Sequence, residues 1–261
     1  MDVCIVCASN DERILESTLL ASPDLSRGIE LSIQKGMRSA ALAYNKGIDE
    51  TGSEFIAFVH QDVFLPPGWM GRFQDTIDTL TFTDPNWGAL GIFGLHENGA
   101  GIGWVFSTGL GRVVGAPFTG ISRVRVLDEL LLIIRRSSGL RFEEELPGFH
   151  MYGIEICLQA EAKGMKNYVF PAFAIHNSNG IKRLPYQFWK ACWHVWQKHQ
   201  HALPVSAPCI YLPKSRWGLL LRILKNYTWD SFRRDIGNRR VAAPELLYWK
   251  LVKRGLAPVF H

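Results

Sequence analysis

What most restricts how this chain can fold is the order of its first segments. Val3-Cys-Ile-Val-Cys7, Ile29-Glu-Leu-Ser-Ile33 and Phe55-Ile-Ala-Phe-Val59 are strand-like runs. Between them lie two stretches that read as helices, Asp11 to Leu20 and the alanine-rich Ser39 to Glu50. Strand–helix–strand–helix–strand predicts parallel strands joined by right-handed crossovers. Parallel strands are covered on both faces, which accounts for a run as unbroken as Phe55–Val59. That run stops at His60-Gln61-Asp62. In open sheets of this type ligands bind beyond the carboxyl ends of the strands. The strand therefore delivers polar groups to a site.

Further along, Gly68–Leu80 reads as a helix, with Trp69, Phe73, Ile77 and Leu80 three or four apart, and Trp87–Phe93 as a strand. The stretch from Gly94 to Gly120 is rich in glycine and short of charge, so loops and ragged strands are expected there, forming a substrate-facing flap. Val124–Ile134 is apolar around Asp128-Glu129, and Ile154–Lys163 is a helix closed by Gly164. Tyr168–Phe170 and Ala172–Ile175 flank Pro171, the second run stopping at His176-Asn177-Ser178. Asp62 and His176 thus each end an apolar strand. A carboxylate and an imidazole brought together make a half-shell for Mg2+ or Mn2+, completed by water and substrate phosphate oxygens. The plainer alternative is that each caps a strand or bonds within a loop. His60-x-Asp62…His176 is also formally the donor set of non-haem iron oxygenases, with Arg183 at hand for an oxo-acid. Those enzymes are all-β double-sheet folds, whereas here the motif follows two strand–helix units.

Three stretches together resemble the family-2-type glycosyltransferases of the GT-A fold. Ala43-Tyr-Asn45-Lys-Gly47 followed by Glu54–Asp62 looks like the lead into that family's D-x-D position. Val126-Leu-Asp128 with Leu132–Arg136 looks like its "V-D-G-x-x-m-x-x-R-R" strand. Phe149-His-Met-Tyr152, Ile154–Leu158, Gly164, Pro171 and His176-Asn-Ser178 look like its closing motifs. The resemblance implies an α/β domain over residues 1–180, a mostly parallel GT-A-like sheet with helices on both faces. It implies transfer of a sugar from a nucleotide-diphosphate donor to a hydroxyl acceptor, with inversion. Ala8, Ser9, Asn10, Asn45, His60, Gln61 and Asp62 would contact the donor, and Asp62 and His176 would hold Mn2+ or Mg2+. The chain departs from the family pattern at three places. His60-Gln61 replaces the first acid of D-x-D, Gln34-Lys35-Gly36 replaces an acid after the second strand, and Gly153 stands where an acid is usual. Glu155 is the first choice for the catalytic base and His150 the second; the alternatives are a helix cap and a loop filler. A catalytically silent relative that binds nucleotide-sugar or glycan is the competing reading.

Charge divides the chain. Residues 1–180 hold 14 Lys+Arg against 21 Asp+Glu, a net −7, and residues 181–261 hold 15 against 3, a net +12. Three amphipathic helices are expected in this basic extension, at Pro185–His201, Ser215–Tyr227 and Pro244–Gly255. The stripe of Trp189, Trp193 and Trp196 either packs on the catalytic body or docks on an anionic membrane surface. Nucleic acid is not expected, since no recognised binding motif accompanies the charge. No apolar run approaches the ~20 residues of a spanning helix, and the start lacks a basic n-region. Five cysteines are odd in number and not laid out as a disulfide framework, and Cys4-x-x-Cys7 lies within a strand. A reduced, cytoplasmic protein, peripheral at most to the inner membrane face, is the expectation.

Overall fold

The computed structural model describes residues 2–180, 184–228 and 239–260. From β1 (Val3–Ser9) the chain passes through α1 (Glu12–Ser17) to β2 (Glu30–Lys35), and α2 (Ala40–Glu50) returns it to β3 (Phe55–Val59). The Asp11 carboxylate accepts from the Ile14 N–H at 3.2 Å and the Ser39 hydroxyl from the Leu42 N–H at 3.3 Å, so each helix begins at a side-chain cap. β1 pairs in parallel with both β2 and β3, as the segment order requires.

The chain continues through β4 (Val63–Phe64), α3 (Trp69–Thr83), β5 (Ala89–Gly91), β6 (Phe93–Leu95), β7 (Gly101–Ser107), β8 (Arg112–Gly115), β9 (Ser122–Val124) and β10 (Val126–Leu127). β11 (Leu131–Arg135), α4 (Tyr152–Ala162), β12 (Asn167–Val169) and β13 (Phe173–His176) follow. The larger sheet runs β2-β1-β3-β11-β5-β12-β9, and β11 lies antiparallel between β3 and β5. The sheet is therefore mixed beyond its first three strands. A second sheet runs β10-β6-β7-β13-β4, with β8 on the far side of β7. This corrects the expected flap: much of 94–120 is ordered strand. Its glycines serve close backbone approach. A Cβ on Gly103 would lie 2.5 Å from the Ile92 carbonyl oxygen, and one on Gly115 1.9 Å from that of Gly103.

Successive residues of β1, β3 and β11 point to opposite faces, and both faces are buried. Cys4, Val6, Ile56, Phe58, Leu132 and Ile134 join one core with α2 and α4. Val3, Ile5, Ala57, Val59, Leu131 and Ile133 join another with α3. Cys4 and Cys7 are free, buried thiols, one in each core.

The basic extension completes both cores. α5 (Tyr186–Lys198) sends Phe188, Trp189, Val195 and Trp196 into the first, and the Trp196 indole donates to the Pro213 carbonyl at 2.8 Å. The tryptophan stripe thus packs against the body, Trp189 and Trp196 buried and Trp193 partly so. A hairpin, β14 (Val205–Ala207) and β15 (Ile210–Leu212), follows, so the extension is not wholly helical. α6 (Arg216–Thr228) turns Leu219 inward but leaves Trp217, Leu221 and Leu224 exposed. α7 (Pro244–Lys253) packs Tyr248 and Leu251 into the second core. Among the described residues no helix is long and apolar enough to cross a membrane.

Candidate functional site

The site forms where the chain leaves one sheet for the other. β3 ends as the His60 N–H donates to the Leu130 carbonyl at 3.2 Å, and a turn over 60–62 leads into β4 of the second sheet. β4 pairs with β13, His176 opposite Val63, and the Asn177 N–H donates to the Asp62 carbonyl at 2.7 Å. His60, Asp62 and His176 meet because the chain changes sheets here. One ligand atom from each lies within 4.8 Å of the others. His176 Nε2 is 3.5 Å and His60 Nδ1 4.0 Å from the same oxygen, Asp62 Oδ1.

Tyr152 fixes the proton on His60. Its hydroxyl donates to the Glu129 carbonyl at 3.0 Å, so its oxygen accepts from His60 Nε2 at 2.5 Å. Nδ1 of the neutral ring is then a lone pair aimed at a carboxylate. Burial holds His60 toward the neutral form, with the His176 charge adding and Asp62 opposing. Two acceptors facing each other across 4.0 Å favour a cation between them, and metal-bound imidazoles characteristically donate their other N–H to a fixed partner. Burial alone would raise Asp62, but the His176 hydrogen bond and the charges of His176, His60 and Arg240 hold its carboxyl well below the ordinary range. His176 is raised against its own burial by Asp62. An ionised carboxylate with two imidazoles suits Mn2+ better than the oxygen-seeking Mg2+.

Gln61 ties this turn to the end of β1. Its Oε1 accepts from the Ser9 hydroxyl at 2.8 Å and from the N–H groups of Asn10 and Asp11 at 3.1 Å, and its Nε2 donates to Asn10 Oδ1 at 2.5 Å. Ala8, Ser9 and Asn10 therefore border the turn that carries Asp62. Asn45 lies elsewhere. It is buried on α2 and spends its amide on both backbone groups of Phe142, at 2.9 Å each, and on Glu144.

Glu155 is fully buried in α4, bonded to Lys198 Nζ at 2.8 Å, His199 Nε2 at 3.2 Å and Gln159 at 2.6 Å. Against burial, the His199 and Lys198 bonds hold it ionised below its usual range. A carboxylate so enclosed fastens α5 to α4. His150 is half-buried with its ring 5.4 Å from that of Phe188, and burial and the nearby His60 charge lower its pKa. Arg183 lies outside the described residues.

Two residues outside the candidate set adjoin this cluster. Glu129 occupies the space that a side chain at 153 would fill: a Cβ on Gly153 would lie 2.9 Å from Glu129 Cγ. Burial and the Asp128 charge push the Glu129 carboxyl up to about 8, although the Gly153 and Met151 amides favour its ionised form. Met151, at φ 69°, is the one non-glycine residue described with a positive φ, and it opens α4 beside this carboxyl. Arg240 reaches Asp62 Oδ2 from the other side at 3.4 Å. Asp128-Glu129 was at least visible as two acids inside an apolar run. Arg240, 178 positions from its partner, has no local signal.

Residues 3–203 match the family described as "Glycosyltransferase like family". A sequence relative, "ATP synthase subunits region ORF 6" of Fuscovulum blasticum, is 27% identical over 187 residues, 65% of this chain and 71% of its own. The solved structure of GalNAc-T7 with UDP, GalNAc and Mn2+ superposes with a TM-score of 0.53 at 10% identity, over 76% of this chain. This chain covers 48% of that one, about half its length. S. aureus TarS 1–349 in complex with UDP-GlcNAc aligns over 91% of this chain and 75% of its own, at 14% identity and a TM-score of 0.46. Two α/β sheets with helices on both faces, and a match over residues 3–203, place this chain in the glycosyltransferase-like family, with a GT-A fold.

Proposed function

We propose that the chain transfers a sugar from a nucleotide-diphosphate donor to a hydroxyl acceptor, with inversion, using a divalent cation, Mn2+ in preference to Mg2+. The observation that carries this is the His60 lone pair and the ionised Asp62 carboxylate converging with His176 beside the end of β1. His60, Asp62 and His176 would hold the cation, which offsets charge on the departing diphosphate. GalNAc-T7 was solved with UDP and Mn2+, and this supports the same donor class here. Ser9, Asn10 and Gln61 line the donor side of the turn.

The base is Glu129, in place of the expected Glu155. The acceptor O–H gives its proton to the Glu129 carboxylate, and its oxygen bonds to the anomeric carbon. The bond from that carbon to the phosphate oxygen breaks, its electron pair leaving on the diphosphate. A carboxyl titrating near neutrality is suited to this task. His150 remains the second choice. The silent-binder reading has one observation in its favour, the enclosure of Glu155 where Gly153 offers no carboxylate.

The acceptor is lipid-linked on this proposal, and α6 rests on the anionic surface that carries it. Trp217, Leu221 and Leu224 are exposed on a helix that also carries Arg216, Arg222 and Lys225.

Thermal shift with UDP, GDP, CDP and ADP and their sugars, with and without Mn2+, tests the reading. One nucleotide series should raise Tm, and more so with Mn2+. No shift with any of them at millimolar concentration overturns it. Release of nucleotide from the bound sugar then separates the enzyme from the silent binder.

A further inference from the structure

The Asp62 carboxylate is shared. Oδ1 faces His176 and His60, while Oδ2 faces the guanidinium of Arg240, 3.4 Å from Nη2. Arg240 is not a loose surface arginine that happens to lie near. Its Nε donates to the Asn177 carbonyl at 3.0 Å, one residue beyond the candidate ligand His176. The neighbouring backbone is fixed by the same asparagine. The Val241 N–H donates to Asn177 Oδ1 and Asn177 Nδ2 to the Val241 carbonyl, both at 2.9 Å. Asn177 is itself buried, and its N–H holds the Asp62 carbonyl. The end of β13 thus seats a basic residue from far along the chain directly against the cation site.

At 3.4 Å the contact with Asp62 is long for a charge-assisted hydrogen bond, whereas the Nε bond to the Asn177 carbonyl is 3.0 Å. The side chain is 29% exposed. A planar guanidinium suits two phosphate oxygens better than an ammonium does. We propose that Arg240 is a donor-binding residue, its guanidinium taking the diphosphate on the Oδ2 side of Asp62 while the cation sits on the Oδ1 side. This deepens the glycosyltransferase reading and rests on it. It also gives part of the basic extension a task at the donor.

The arrangement has a signature of opposite signs. A fixed positive charge beside Asp62 opposes a second cation when no phosphate is present, and both favour the diphosphate when it arrives. The test is isothermal titration of the full chain with Mn2+ alone, and with UDP at saturating Mn2+. Arg240→Gln should bind Mn2+ alone as well as the wild type or better, and should bind UDP at least ~10-fold more weakly. Arg240→Lys should recover part of the loss. UDP binding by Arg240→Gln within about twofold of the wild type overturns the proposal. Equal weakening of Mn2+ and UDP also overturns it, since a merely structural role disturbs both alike. A wild type that binds Mn2+ but neither UDP nor any other nucleoside diphosphate defeats the underlying reading of the site. Wild-type UDP binding that survives the substitution defeats only the assignment of Arg240.

Discussion

Lys198 Nζ lies 2.8 Å from Oε1 of Glu155, a carboxylate with no exposed surface, and the pair joins α5 to α4. His199 adds a second contact at 3.2 Å. Removing one partner of a buried pair leaves the other's charge uncompensated. Lys198 is 36% exposed and also meets Glu143, so the loss is moderated. Glu155→Ala is expected to cost about 2–3 kcal/mol, a fall in Tm of roughly 5–10 °C for a chain of this size. The folded carboxyl is held below its ordinary range, so its contribution is present above pH ~4.5 and disappears as pH falls through the folded value. The Tm gap between variant and wild type should therefore narrow on acidification. An unchanged Tm at pH 7 would mean that the α4–α5 tie carries no stability.

Glu129 behaves in the opposite sense. Its folded carboxyl is pushed up to about 8, so the fold favours the protonated form. Stability associated with that proton is complete below pH ~4.5 and is lost as pH rises through about 8. Glu129→Gln keeps the shape without the charge. Its Tm should match the wild type at pH 5 and exceed it by several degrees at pH 8.5. Turnover should fall ~10²-fold or more while UDP affinity is kept. A stabilised variant with full turnover would move the base to His150.

How much of this was legible in the sequence depends on the range of the contacts. β1 through β3 follow from apolar periodicity and two side-chain caps, all of them local. His60, Asp62 and His176 could be singled out because each lies at or just beyond the end of an apolar run. The cause of their meeting is a change of sheet between β3 and β4. Three residues, His60 to Asp62, carry that change, and no periodicity marks it. The Gly94–Gly120 stretch misled because glycine there permits close strands as well as loops. Glu155 looked catalytic by position. Its partners come from the far end of α5, and the inward register of that helix is fixed by burial of Phe188, Trp189, Val195 and Trp196.

Tyr152 sets the His60 tautomer through a chain of two hydrogen bonds, to His60 and to the Glu129 carbonyl. Tyr152→Phe removes the acceptor for the His60 Nε2 proton and frees the ring to take the other tautomer, which turns an N–H toward Asp62. Mn2+ affinity measured by titration calorimetry should fall about 10–100-fold, the range typical of losing such an outer partner. Asp62→Asn should abolish Mn2+ binding with the near-UV circular dichroism unchanged. Wild-type Mn2+ affinity in both variants would place the cation elsewhere.

The proposed docking on a membrane rests on α6, since Trp189 and Trp196 of α5 are buried and Trp193 is partly so. Trp217 is 75% exposed, and Leu221 and Leu224 follow it at spacings of four and three, which puts all three on one face. Arg216 lies over the Trp193 ring and Arg222 over the Tyr211 ring, so their charges are held close to that helix. Each basic residue near an anionic surface contributes about 1 kcal/mol, and the attraction decays within ~8 Å at physiological salt. Deleting everything after residue 180 would be a poor test, because that cut removes side chains from both cores. Trp217→Ser with Leu221→Ser changes only the exposed face. The wild type should co-sediment with phosphatidylglycerol-containing vesicles at low salt, bind neutral vesicles weakly, and lose the difference at high salt. The double variant should lose at least half of its bound fraction under the same low-salt conditions while keeping its Tm and its affinity for UDP. Equal sedimentation of both proteins, or of either with neutral and anionic vesicles alike, would leave α6 without a role at the lipid surface.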